Sequence, residues 1–217
     1  MGTDSVDSMV SILPTKRAAY SDRMAVLMTE MSRLAYVKFE IPSKTDFDEA
    51  AALARGAGDH ETAVKAVRDF YDKVVTGHKT RDREALCESL KRFGFKLRRT
   101  YCKVDTQAFL ATRAFGDKEN RTETGIAVLC FRGTESDEIG DWKTNLNVRK
   151  TMPGGSGVHA GFWEALKVVR DEIEKDIKSY REKGYALYVT GHSLGGALAL
   201  IATKEIANDS PGACYTF

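Results

Sequence analysis

Between residues 16 and 37 the apolar side chains fall at Met24, Leu27, Met28, Met31, Leu34 and Ala35. That three-to-four-residue spacing predicts one face of a helix, which Pro42 closes. Residues 46–55 predict an alanine-rich helix that Gly56 and Gly58 break. Residues 60–75 repeat the helical pattern through Ala63, Val67, Phe70 and Val74, with Gly77 expected to end it. Residues 82–93 predict one more helix through Leu86, Leu90 and Phe93. After residue 105 the apolar runs become short and continuous. "TQAFLATRAF" and "GIAVLCF" predict neighbouring strands across a polar turn at residues 116–125. A long helix follows at about 160–182, with Phe162, Leu166, Val169, Ile173 and Ile177 on one face and Gly184 as its stop. "YALYVT" predicts a short central strand, residues 194–207 a helix, and "ACYTF" a further strand after the Pro211-Gly212 turn.

Strand, helix, strand, helix, strand is the rhythm of a parallel α/β sheet. The expected fold is therefore α/β: a mostly parallel sheet flanked by helices, with a helical addition at the N-terminus. Residues 1–15 are expected to be a flexible start, 16–103 a helical region with an insert, and 104–217 the α/β domain.

Composition changes this picture little. The 217 residues are 42% hydrophobic and 29% charged, enough apolar material for a sizeable core. A net charge of +2 supplies no field that would draw nucleic acid. The longest apolar runs, Ile126–Phe131 and Ala197–Ala202, are far short of the roughly 20 residues that span a bilayer. No signal peptide is visible, so the expected location is cytoplasmic, or exported without one. Cys87, Cys102, Cys130 and Cys214 form no CxxC pair and read as free thiols. With four dispersed histidines they match no zinc spacing, and neither metal nor cofactor is expected. "TMPGGSG" lacks the lysine of a phosphate loop and reads as a connection.

The chemistry concentrates at Gly191-His192-Ser193-Leu194-Gly195. A GxSxG between an apolar strand and an apolar helix is the setting of a nucleophile elbow. The sharp turn exposes the serine hydroxyl, the glycines avoid collisions, and the helix N-terminus favours a developing oxyanion. A second segment fits it. "AVLCFRGTES" is a strand running into Arg132-Gly133-Thr134, where Thr134 would offer one oxyanion donor and the Leu194 N–H the other. The candidate site residues are Ser193, Thr134 and Leu194.

On "FRGTES", "DWKTNLN", "VHAGFWEAL", "VTGHSLGGALALIA" and "CYTF", in that order, the chain resembles the class 3 lipase family of α/β-hydrolases. "MAVLMTEMSRLAYV" and "DTQAFLATRAF" resemble the family's N-terminal helix and the strand before the oxyanion strand, whereas residues 42–100 match poorly. The resemblance implies a serine hydrolase cleaving acyl esters of neutral glycerides or phospholipids. Ser193 corresponds to the nucleophile, and Thr134 and Leu194 to the oxyanion donors. The segment after Thr134, through Asp141, Trp142 and Leu146, resembles the lid, with an ordinary surface loop as its rival. His159 and His192 match family histidines that are not the base.

The family's acid and base follow the serine in the order Ser, Asp, His. Residues 194–217 contain no histidine, so both are expected beyond Phe217, and the C-terminal part of the sheet with them. Three explanations stand open: a truncated chain, a second polypeptide carrying the remainder, or a degenerate relative. The first two are favoured, and by them this chain alone is inactive. His60 and His78 read as surface residues, and Lys204 lies about three turns from the serine. The expected partner is a lipid ester at a membrane or micelle surface, and nucleic acid is not expected. The rival readings are an exported bacterial phospholipase effector and a non-catalytic lipid-binding or interaction protein. The basic run Lys91, Arg92, Lys96, Arg98, Arg99 and Lys103 would suit anionic headgroups, or form a solvated helix face leading into a strand.

Overall fold

A computed structural model describes residues 20–37, 44–103, 106–117, 122–133, 150–151, 158–206 and 212–217. These residues divide into two compact units, Met1–Tyr36 with Ser89–Phe217, and Val37–Glu88. The expected flexible start, 1–15, lies outside the described residues.

The smaller unit is helical, built from α2 (Lys44–Gly56) and most of α3 (His60–Arg92). Asp59 opens α3. Its carboxylate accepts from the Thr62 N–H at 2.8 Å and the Thr62 hydroxyl at 2.6 Å, satisfying an orphan donor of the first turn. Gly77 does not end a helix, contrary to expectation: α3 runs unbroken from His60 to Arg92. Glycine within a helix costs about 1 kcal/mol relative to alanine, and the neighbouring turns absorb that.

The larger unit holds a five-stranded sheet in the order β1-β2-β3-β6-β7. Its strands are β1 (Lys96–Lys103), β2 (Thr106–Asp117), β3 (Thr122–Phe131), β6 (Ala186–Gly191) and β7 (Gly212–Thr216). A separate two-stranded piece pairs β4 (Lys150–Thr151) with β5 (Val158–His159). The sheet is mixed. The parallel expectation holds for β3, β6 and β7, whereas β1-β2-β3 is an antiparallel meander. Tight turns can join antiparallel neighbours, but parallel strands need a helical crossover.

Those crossovers are α4 (Ala160–Glu182) and α5 (Leu194–Ile206). Helix α4 buries Leu166, Val169, Ile173 and Ile177, the predicted stripe, against Leu110, Leu129, Leu187 and Val189 of the sheet. It stops at Gly184, φ +76°, where the Tyr185 N–H reaches the Tyr180 carbonyl and the Gly184 N–H the Arg181 carbonyl. This is a Schellman closure, which needs a left-handed residue and so favours glycine. Alternate strand residues face the other way. Cys130 and Thr190 meet α1 (Asp22–Leu34), whose Met24, Leu27, Met28, Met31 and Leu34 are buried. Helices thus cover both faces of the strands that carry the GxSxG turn.

The basic run leads from a helix into a strand, as the second reading had it: Lys91 and Arg92 are exposed in the last turn of α3. Residues 96–103 are strand β1, and the acidic side of α4 neutralises part of it. Arg99 pairs with Glu172 at 2.9 Å and Asp176 at 3.4 Å, Lys103 pairs with Glu172, and Arg98 donates to the Thr112 hydroxyl at 2.6 Å. No helix among the described residues is long and apolar enough to cross a membrane.

Candidate active site

Strand β6 is buried along its whole length and ends at Gly191; α5 begins at Leu194. Two residues must therefore reverse the chain. Ser193 does so at φ +54°, the one non-glycine residue with positive φ among the described residues. L-residues avoid that region at a cost of about 1–2 kcal/mol, so the surroundings must hold the serine there. They do so through backbone. The Ser193 N–H donates to the Phe217 carbonyl at 2.9 Å, and the Phe217 N–H to the Gly191 carbonyl at 3.2 Å. The Ser193 carbonyl accepts from Gly196 at 3.0 Å and Ala197 at 3.3 Å, closing the first turn of α5.

The glycines make room. A Cβ on Gly191 would run into the Gly195 carbonyl, and one on Gly195 into the Phe131 carbonyl and the Arg132 backbone. The result is a serine exposed at the mouth of a buried strand. Leu194 is the first residue of α5, so its N–H has no acceptor within the helix. No acidic residue in the first turn offsets the positive end of the helix dipole.

A second backbone corner abuts this turn. After β3 the chain passes through Arg132 and Gly133. Gln107 holds Arg132 twice, its carbonyl accepting the Arg132 N–H at 2.9 Å and its Oε1 the guanidinium at 2.8 Å. Gly133 is buried, and a Cβ there would strike the His192 carbonyl and the Tyr36 hydroxyl. The corner leading to Thr134 thus touches the residue before the serine. Thr134 itself and the expected lid with Asp141, Trp142 and Leu146 lie outside the described residues.

Two contacts went unforeseen. The Ser32 and Thr190 hydroxyls meet at 2.9 Å in a buried pair, and Thr190 also donates to the Met28 carbonyl at 3.4 Å. The Tyr36 hydroxyl lies 2.9 Å from His192 Nδ1, with the rings edge to face at 5.9 Å. The one signal for Tyr36 was its place just after the apolar stripe of α1. Cys130 is buried, and burial pushes its thiol up, away from thiolate chemistry.

Comparison with known sequences finds one family match. The model for Lipase (class 3) matches residues 128–217, a stretch running from mid-β3 through the serine turn to the last residue.

Residues 128–217 match the class 3 lipase family.

Individual proteins are similar to this chain as well. The "Secreted mono- and diacylglycerol lipase A" of Penicillium camembertii is 38% identical over 108 residues, covering 48% of this chain and 32% of that protein. The "Secreted mono- and diacylglycerol lipase 1" of Fusarium solani is 36% identical over 96 residues, 42% of this chain and 28% of that protein. The matched stretch therefore spans about a third of these relatives. Among solved structures, lipase II from Rhizopus niveus superposes with a TM-score of 0.47 at 20% identity, over 91% of this chain and 63% of that one. The lipase segment and the mixed sheet with helices on both faces make the fold an α/β-hydrolase type.

Proposed function

We propose that the protein hydrolyses acyl esters of lipids, with Ser193 as nucleophile. The observation that carries the reading is the exposed Ser193 at φ +54° on the turn between β6 and α5. A non-glycine residue held in a costly conformation needs a reason, and presenting a hydroxyl above a helix N-terminus is one.

The serine Oγ attacks the ester carbonyl carbon while its proton passes to a histidine. The carbonyl oxygen becomes an oxyanion, received by the Leu194 N–H and by Thr134. Collapse expels the alcohol, which takes the proton back. Water then cleaves the acyl-serine to release the fatty acid and the free hydroxyl. In the family's order the acid and the base follow the serine along the chain.

Neutral acylglycerols are the favoured substrates, because the similar proteins from Penicillium and Fusarium are named mono- and diacylglycerol lipases. Both are named as secreted, which favours the exported location. The lid assignment for the segment through Asp141, Trp142 and Leu146 belongs to the same reading.

The test uses the complete gene product. It should take a fluorophosphonate on Ser193 and release fatty acid from diacylglycerol, and Ser193→Ala should abolish both. A label on another residue, or undiminished release by the alanine variant, refutes the assignment.

A further inference from the structure

We propose that Tyr36 is a positioning residue for Ser193, acting through His192; the proposal rests on the hydrolase reading above. Three segments far apart in sequence converge here. They are the end of α1 at Tyr36, the end of β3 at Arg132-Gly133, and the serine turn at His192. The Tyr36 hydroxyl bonds His192 Nδ1 at 2.9 Å, one residue from the nucleophile. The Arg132 guanidinium lies over the Tyr36 ring, 5.9 Å from its centroid, so the ring is held on its face as well as at its tip. Gly133 fits between the Tyr36 hydroxyl and the His192 carbonyl only because it has no side chain.

The consequence is geometric. Tyr36 touches both the turn that bears the serine and the corner that leads to Thr134, the proposed second oxyanion donor. Oxyanion stabilisation depends on donors placed about 2.7–3.1 Å from the developing charge, so the spacing of turn and corner matters. Helix α1 is anchored on the same strand by the Ser32–Thr190 pair, which gives Tyr36 a fixed base. Tyr36 transfers that rigidity to His192.

Rates of fluorophosphonate labelling at Ser193 in the complete protein test this, with binding and bond formation separated. Tyr36→Phe keeps the ring and removes the hydroxyl. It should slow bond formation roughly five- to tenfold, the equivalent of one lost hydrogen bond, and leave probe binding unchanged. His192→Phe should slow it by a similar factor, and the double variant should be no slower than either single one. His192→Asn, which keeps a polar group near the Nδ1 position, should restore most of the rate. Wild-type labelling together with an unchanged Tyr36→Phe rate, or with additive effects in the double variant, overturns the positioning role alone. A wild-type protein that takes no label at Ser193 overturns the hydrolase reading, and this proposal with it.

Discussion

If Ser193 is held against its backbone preference, removing its side chain should stabilise the protein while ending its chemistry. The comparison that isolates this is Ser193→Gly against Ser193→Ala. Both lose the hydroxyl, so its contacts cancel, but only alanine keeps the Cβ at φ +54°. Relief of the left-handed penalty is worth about 1–2 kcal/mol. Against it stands the extra freedom glycine gains in the unfolded chain, about 0.4–1 kcal/mol. The balance leaves the glycine variant more stable by about 1 kcal/mol. In an ordinary helix the sign is opposite, alanine being favoured by about 1 kcal/mol, so the sign alone is diagnostic. Urea unfolding followed by circular dichroism would give the difference from the two midpoints at a common slope. By heat it should be about 2–4 °C for a chain of this size. A more stable alanine variant would show that the turn carries no strain and remove the main support for an evolved nucleophile position.

Other substitutions probe the frame around the turn. Thr190→Val keeps the shape but removes the hydroxyl that meets Ser32 and donates to the Met28 carbonyl, and should cost about 1 kcal/mol in urea; an unchanged midpoint would refute the contribution of that buried pair. Gly195→Ala forces a Cβ onto the Phe131 carbonyl and should destabilise by about 1–3 kcal/mol while slowing labelling of Ser193; a variant matching wild type in both would refute the close approach. Tyr101 donates to Asp176 at 2.9 Å, and burial first, then Asp176, push its phenol above the ordinary 10.0. A raised acid keeps its proton when folded, so its contribution is intact below pH 10.0 and fades as the unfolded phenol ionises above it. Tyr101→Phe should therefore be less stable than wild type near neutrality by about 1 kcal/mol. The gap should then close by up to about 1.4 kcal/mol per pH unit above that point. A gap that stays constant into alkali would refute the shift.

What could be read from sequence divides by the range of the forces involved. The stripe of α4, its stop at Gly184 and the GxSxG turn each depend on residues within a few positions of one another. Periodicity and glycine placement therefore expose them in the sequence itself. Gly77 misled because a glycine's helix penalty is a local quantity, whereas the continuity of α3 through it is decided by the turns on both sides. Strand β1 was obscured in another way. Its Arg99 and Lys103 are balanced by Glu172 and Asp176 on α4, some seventy residues later, so the run reads as an unpaired basic surface until the fold supplies its acids. The same limit hid Tyr36. Nothing near it announces a partner, and its contacts with His192, Arg132 and Gly133 arise only because α1 packs on the sheet where β3 and β6 are neighbouring strands. The candidate site is thus legible where it is a turn and illegible where it is an assembly. The sequence pattern names Ser193 as the candidate nucleophile, but the residues that would hold it in register come from the tertiary packing.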